Sequence, residues 1–454
     1  MTAIDEILAD ACPGERRVAL LSKGEVVEIR HARDHAPSLV GDIYLARIET
    51  VAPALDAAFL DLGEGVPAFL NAADAPMALV EGESVLVQIR TDAVPGKAPV
   101  ATARPALAGR YLVFRPGAAE SAVSARVAPG SDRMRLERFL AGRPGWTART
   151  AAADADDAVL AAERATLEAS WRRIEAAARA AATPARLRAE LPLALRLWRD
   201  CPAATRLVVD GDEDAAEWRG TVAALWPDRA SAVVRHDGAE PLFEARGVEE
   251  AIGRALDPRV ALPGGAELVI EETAALVAID VNLAGTAGRG EGAILAANEA
   301  AACALAREMR VRGLAGRVVV DFVAMARRES RERVLAALRA AVADDSAGVR
   351  VFGFSATGLA EMTRRRDRES LAQTLCDPVT HGRKSAITAG MDVLRAVARA
   401  RAGAAPLTLH VAPEVAAALD GSLALARAAL ERRLVRTIRL APEAGRGRES
   451  WEVG

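Results

Sequence analysis

The sequence predicts a multidomain α/β (α+β) chain in which a small β-barrel precedes a layered region of strands and helices. Three observations carry this. Residues 41–115 break into short apolar runs split by Gly and Pro turns. From residue 255 strand-like runs alternate with stripes of helical period, the pattern of helices packed on a partly parallel sheet. Two of those strands, LVAIDVN (276–282) and RVVVDFVAM (317–325), each carry an aspartate where a core would hold another valine.

At 454 residues the chain is long enough for several separate cores. It is 51% hydrophobic and 27% charged, the composition of a globular protein. No apolar run reaches membrane-spanning length, and MTAIDEILADACPG lacks the basic and apolar regions of a signal peptide. A cytoplasmic protein with no membrane span is expected. Cys12, Cys201, Cys303 and Cys376 are scattered with no CxxC pair, which weighs against a disulfide framework or a thiolate zinc site. The 5 histidines are as dispersed. Remaining metal ligands are carboxylates, which favour Mg²⁺ or Mn²⁺. A net charge of −3 gives no global nucleic-acid signal. Positive charge is almost all arginine, with Lys23, Lys97 and Lys384 the only lysines; genome composition explains most of that skew.

Taken in order, RVALLSKGEVVEIR (17–30) reads as a β-hairpin turning at Lys23-Gly24. GDIYLARIETV, ALDAAFLDLG, GVPAFL, ESVLVQIR and RYLVF follow as five strands of a Greek-key barrel of the OB-fold class. Leu160, Leu167, Trp171, Ile174 and Ala178 stripe a helix over 158–182, and a second helix is expected near 187–200. Strands are expected near 205–210 and 230–236. The layered region then reads strand 275–281, helix 293–311 (Leu295, Asn298, Ala302, Leu305, Met309), strand 317–323, helix 330–343 and strand 349–354. A helix at 384–401 and a strand–helix–strand segment at 406–441 close the chain.

Ligands of α/β sheets bind beyond the carboxyl ends of the strands, and Asp280 and Asp321 lie toward those ends. Carboxylates on adjacent strands, roughly 4.8 Å apart, can share one hydrated cation. Asn282, at i+2, points to the same face as Asp280 and can orient a ligand carboxylate. The competing reading is that each aspartate caps the loop that follows it.

The chain resembles the ribonuclease E/G family of bacterial endoribonucleases. The resemblance runs from about residue 17 to 440, through RVALPGGAELVIEETAALVAIDVN (259–282), NEAA (298–301), AREMRVRGLAGRVVVDF (306–322) and GLAEMTRRRDRESL (358–371). It implies that Asp280 and Asp321 bind the catalytic Mg²⁺ and that Asn282 orients them. It implies hydrolysis of single-stranded RNA (rRNA precursors, mRNA) to 5′-phosphate and 3′-hydroxyl ends. The barrel would be an S1-type OB-fold inserted in an RNase H-like subdomain, ahead of a DNase I-like catalytic subdomain. The implied boundaries are 1–37 and 204–254 for the RNase H-like part, 38–118 for the barrel, 119–203 for a 5′-sensor, 255–375 for the catalytic part, 376–384 for a zinc-link segment and 385–454 for a small C-terminal domain. Phe59 and Phe69 match RNA-stacking aromatics and Lys97 their basic partner, while barrel core is the alternative for Phe59. In WTARTA (146–151), Arg149 and Thr150 match a 5′-monophosphate pocket. Arg364 and Arg366 match an EMTRxR element that contacts RNA; a solvated charge run is the alternative.

The sequence departs from the family pattern in LCDPVTHG. Cys376 remains where the family has CPxC, and His381 is a weak substitute. One thiolate per chain does not build a shared four-thiolate zinc site, so a homodimer would form without the zinc link. Ala324, Ala274 and Ala152 also stand where the family has Asp, Glu and Gly. No long Arg- and Pro-rich tail is seen, so the short, ribonuclease G-like members are the nearer pattern. The alternative function is a catalytically weak or inactive RNA-binding member of the family.

Overall fold

The computed structural model describes all residues except 1–3, 76–77, 94–96, 202, 284–289, 367, 378–381 and 400–404. The described chain divides into two compact units, residues 38–202 and residues 1–37 with 203–454.

The unit 38–202 contains the barrel. Strands Ile43–Ala52, Ala57–Asp61, Ala68–Asn71, Val100–Thr102 and Ser84–Thr91 pair in that order, and the last pairs back onto the first to close it. Ala46, Ile48, Ala58, Leu60, Leu70 and Val87 fill its interior. The fifth barrel strand is therefore Val100–Thr102. RYLVF, expected in that place, contributes Leu112–Phe114 to a separate four-stranded sheet with Leu107–Ala108, Ala122–Val123 and Trp146–Ala148. Its apolar run is equally strand-like in either position, and only pairing distinguishes them. The long helix spans Asp157–Ala180 and buries Leu160, Leu167 and Ile174, as the stripe predicts. The helix expected at 187–200 is shorter: Ala185–Arg188 is a strand added to the barrel, and helix begins at Leu193 after Pro192. Proline restricts the residue before it to extended backbone.

In the other unit, Glu15–Ser22 and Glu25–Arg33 form the expected hairpin. Lys23 and Gly24 both have positive φ (52° and 80°), as a tight two-residue hairpin turn requires. With Glu6–Cys12, Arg206–Asp210 and Val233–Arg235 they make a five-stranded sheet.

The layered region is one six-stranded sheet. Its strands are β1 (Arg259–Ala261), β2 (Ala266–Glu272), β3 (Val277–Leu283), β4 (Gly316–Asp321), β5 (Val349–Phe354) and β6 (Ala360–Arg364), in the order β1-β2-β3-β4-β6-β5. Only β3 and β4 run parallel; the other pairs are antiparallel. Helices α1 (Glu291–Arg312) and α2 (Arg328–Val342) cover one face, where Leu268, Ile279, Val318, Val320 and Met362 meet Leu305, Met309, Val334 and Leu338. Gly313, at φ 69°, ends α1 by donating its N–H to the carbonyls of Arg310 and Met309, a left-handed cap that suits glycine. A β-branched side chain there would be strained. The C-terminal part pairs Leu407–Val411 with Ile438–Pro442 through two helices, Pro413–Asp420 and Ala424–Leu434, where one was expected.

Candidate active site

Strand alternation turns Val277, Ile279 and Val281 into the core and leaves Asp280 and Asn282 exposed on the opposite, uncovered face. In β4, Val318 and Val320 are buried and Asp321 is exposed. The parallel register makes Asp280 and Asp321 direct partners, so their side chains rise from neighbouring positions of one face, with Cα atoms roughly 4.8 Å apart. Asn282 donates from Nδ2 to Asp280 Oδ2 at 2.9 Å. That bond occupies one carboxylate oxygen and restrains the rotation of the carboxylate.

The exit of β4 is anchored from below. Asn298 on α1 is fully buried, yet both ends of its amide are satisfied by one residue. It donates to the Val323 carbonyl at 2.8 Å and accepts from the Val323 N–H at 3.1 Å. A buried amide unpaired would cost about 1–3 kcal/mol, so the pair holds the backbone two residues beyond Asp321. Glu291, at the start of α1, accepts from the Arg327 N–H and the Ser330 hydroxyl at 3.2 and 2.9 Å and secures the far end of that loop. The helical stripe in the sequence shows Asn298 as a core position; its backbone pairing depends on the tertiary fold. Glu361 is a further carboxylate on the uncovered face, opposite Val319 of β4. Its signal in the sequence is the alternation of AEMTR, legible only once β6 is known to lie beside β4.

An all-oxygen donor set of two exposed carboxylates fits a hard divalent cation that keeps most of its waters, such as Mg²⁺. Among the described residues no group of three or more His, Cys, Asp or Glu is arranged to hold a metal, so the donor set is a pair and not a closed cage.

The other candidates separate. Phe59 and Phe69 are cross-strand partners on the outside of the barrel, half-buried, with ring centroids 5.9 Å apart and planes at 72°. Their neighbours Ala58, Leu60, Ala68 and Leu70 are the core residues. Lys97 is exposed just before the last barrel strand. Arg149 is not a free guanidinium: Nη1 donates to the Gly109 carbonyl at 2.7 Å and pairs with Asp200 at 2.9 Å. The segment it braces is held again by Glu163, which accepts from the N–H groups of Arg110, Tyr111 and Leu112. Thr150 is exposed, with its hydroxyl 3.1 Å from that of Ser124.

Arg364 corrects an expectation. It is 3% exposed, donates to Asp345 at 2.9 Å and to the Leu314 carbonyl at 2.9 Å, and so faces the interior, away from any phosphate in solution. The alternation of β6 decides this, since Met362 and Arg364 share the covered face. Arg366, past the strand end, is exposed and bonds only weakly, to Gln373 at 3.3 Å and the Ala315 carbonyl at 3.4 Å. Cys376 is buried, and that burial pushes its thiol pKa up, which disfavours the thiolate a metal needs. His381 lies outside the described residues. No helix among the described residues is long and apolar enough to cross a membrane.

The chain thus carries two register-paired aspartates on an open sheet face and a closed β-barrel of OB type. Comparison with known proteins identifies its family. A sequence model described as the Ribonuclease E/G family matches residues 106–367. Ribonuclease G of Escherichia coli strain K12 is 33% identical over 456 residues, covering 93% of both chains. Ribonuclease G of Haemophilus influenzae is 32% identical over 87% of both. Ribonuclease E of Escherichia coli K12 is 30% identical over 79% of this chain and 36% of its own. The chain belongs to the Ribonuclease E/G family, among its Ribonuclease G-like members.

Proposed function

We propose that this endoribonuclease of the Ribonuclease E/G family hydrolyses single-stranded RNA with Mg²⁺ held by Asp280 and Asp321, leaving 5′-phosphate and 3′-hydroxyl ends. The observation that carries the reading is the register pairing of the two aspartates on an open sheet face, with Asn282 bonded to the first. When bound, the metal supplies Lewis-acid stabilisation of a phosphoryl oxygen and activation of water. The chain's own residues do the rest. Asn282 restrains Asp280, and Asn298 and Glu291 restrain the backbone beyond Asp321, so the carboxylates need little reorganisation when substrate arrives. Phe59 and Phe69 offer a stacking surface for bases, and Lys97 and Arg366 offer cations to the backbone. Arg149 and Thr150 form a preset 5′-phosphate contact, with Asp200 holding the guanidinium in place. Cytoplasmic processing of rRNA precursors and decay of mRNA are the settings the family membership supports, with a homodimer, if formed, independent of zinc.

The test is cleavage of a 5′-monophosphorylated single-stranded RNA by the parent protein and by Asp280→Asn, with EDTA and a 5′-hydroxyl RNA as controls. Cutting that requires both the metal and Asp280 is the expected result. Tight binding of RNA by the parent without cutting would replace the reading with that of an RNA-binding member lacking activity.

A further inference from the structure

The uncovered face of the catalytic sheet continues beyond the aspartates. On β4, Arg317 is exposed four residues before Asp321 and alternates onto the same face. The register sets Arg317 beside Thr363 of β6, and Thr363 beside Arg350 of the edge strand β5. Three strands thus carry Arg, Thr and Arg in one row. Between that row and the aspartates, β5 bulges at Val351–Gly353, opposite Glu361. The bulge returns Phe354 to the core, while plain alternation puts Phe352 on the same outward face as Arg350. The Phe352 ring is 53% exposed, while Val349, Val351 and Phe354 of the same strand pack on the core. The Arg350 guanidinium lies 5.0 Å from the ring centroid. Neither Arg317 nor Arg350 pairs with a carboxylate among the described residues, although Glu361 is close in register.

We propose that this edge is a nucleotide subsite, in which Phe352 stacks a base of single-stranded RNA and Arg317 and Arg350 take backbone phosphates. The proposal rests on the reading of Asp280 and Asp321 given above and says where the strand lies on their face. β5 is two strands from β4, roughly 10 Å at the usual spacing, so the stacked base is within a few nucleotides of the aspartates. Every base has a π-face, so such a platform tolerates any sequence. Guanidinium forks match phosphate oxygens. On this side of the face Arg317 of β4 and Arg350 of β5 outnumber the one exposed carboxylate between them, Glu361 of β6, while Glu271 of β2 is exposed on the other side of Asp280.

The experiment measures binding of a labelled single-stranded RNA to the full chain in EDTA across a salt series, and single-turnover cleavage in Mg²⁺. Phe352→Ala is expected to weaken binding about tenfold, and Phe352→Trp to stay near the parent. Arg317→Met and Arg350→Met are each expected to flatten the salt dependence by about 0.7 in log–log slope. Retention in the Trp variant separates loss of stacking from loss of fold. If Phe352→Ala binds within about twofold of the parent and the arginine variants keep its slope, the subsite is overturned, whether or not the parent cuts. If the expected pattern holds in a parent that does not cut, the subsite stands and the cleavage reading falls.

Discussion

Asp280 and Asp321 are register partners on β3 and β4, the only parallel pair of the six-stranded sheet among the described residues. Parallel pairing carries both aspartates toward the same end of the sheet, which an antiparallel pair would not do at this spacing. Loss of either one leaves a single carboxylate for a divalent ion. Asp280→Asn and Asp321→Asn are expected to reduce single-turnover cleavage by on the order of 10³-fold or more, since the metal contributes several kcal/mol. RNA binding in EDTA should stay near the parent value. A variant that still cuts at a tenth of the parent rate would remove that residue from the metal site.

Asn282 donates to Asp280 at 2.9 Å, so the proposed reading has it orient that carboxylate. Asn282→Ala is expected to lower activity by about 10- to 100-fold. Because the defect is in ligand orientation, the Mg²⁺ concentration for half-maximal cleavage should rise. A titration showing unchanged metal dependence at reduced rate would assign Asn282 to direct substrate contact instead.

Arg364 and Arg366, two residues apart, should respond oppositely. The Arg364–Asp345 pair is buried, with side chains 2% and 3% exposed. Breaking a buried pair leaves an uncompensated charge and costs about 3–5 kcal/mol. Arg364→Met should lower the denaturant midpoint strongly. Arg366→Met should leave the midpoint near the parent's and flatten the salt dependence of RNA binding. Equal stability of the two variants would contradict the interior placement of Arg364.

Glu28 makes acid stability measurable. Burial by itself would raise its pKa; Arg30, Arg368 and Arg310 outweigh burial and hold it at about 2, against an ordinary 4.5. The folded pKa is depressed, so the unfolded chain binds the proton more readily. The contribution is fully present above about pH 4.5 and is lost as pH falls toward 2. The difference corresponds to roughly 3 kcal/mol. Glu28→Gln should be less stable than the parent at neutral pH, and urea midpoints of the two should converge on acidification. A gap that stays constant with pH would show that Glu28 is not charged in the folded protein.

Phe59 and Phe69 touch each other, so their effects should not add. Each alanine substitution is expected to weaken RNA binding by about 1–3 kcal/mol, and the double variant by less than the sum. Strict additivity would mean that the two rings serve separate bases.

Much of this was legible in the residues. Period-2 alternation marks Asp280, Asn282 and Asp321 as intruders in apolar strands, and the helical stripe of 295–309 anticipates α1. Local signals failed where two placements satisfy the same pattern. RYLVF is strand-like in the barrel or in the next sheet. Arg364 is one arginine in RRRDR until the parity of β6 turns it inward.

By itself the sequence determined most of the element types, the family resemblance and the residues that carry carboxylate chemistry, because those depend on composition and spacing along the chain. The tertiary structure alone decided which strands are neighbours and in what register. That choice made Asp280 and Asp321 partners, buried Arg364, tied Asn298 to Val323 and aligned Arg317 with Arg350. The physical reason is that strand parity and long-range pairing are fixed by packing against a shared core, and a shift of one residue would send every side chain to the other face.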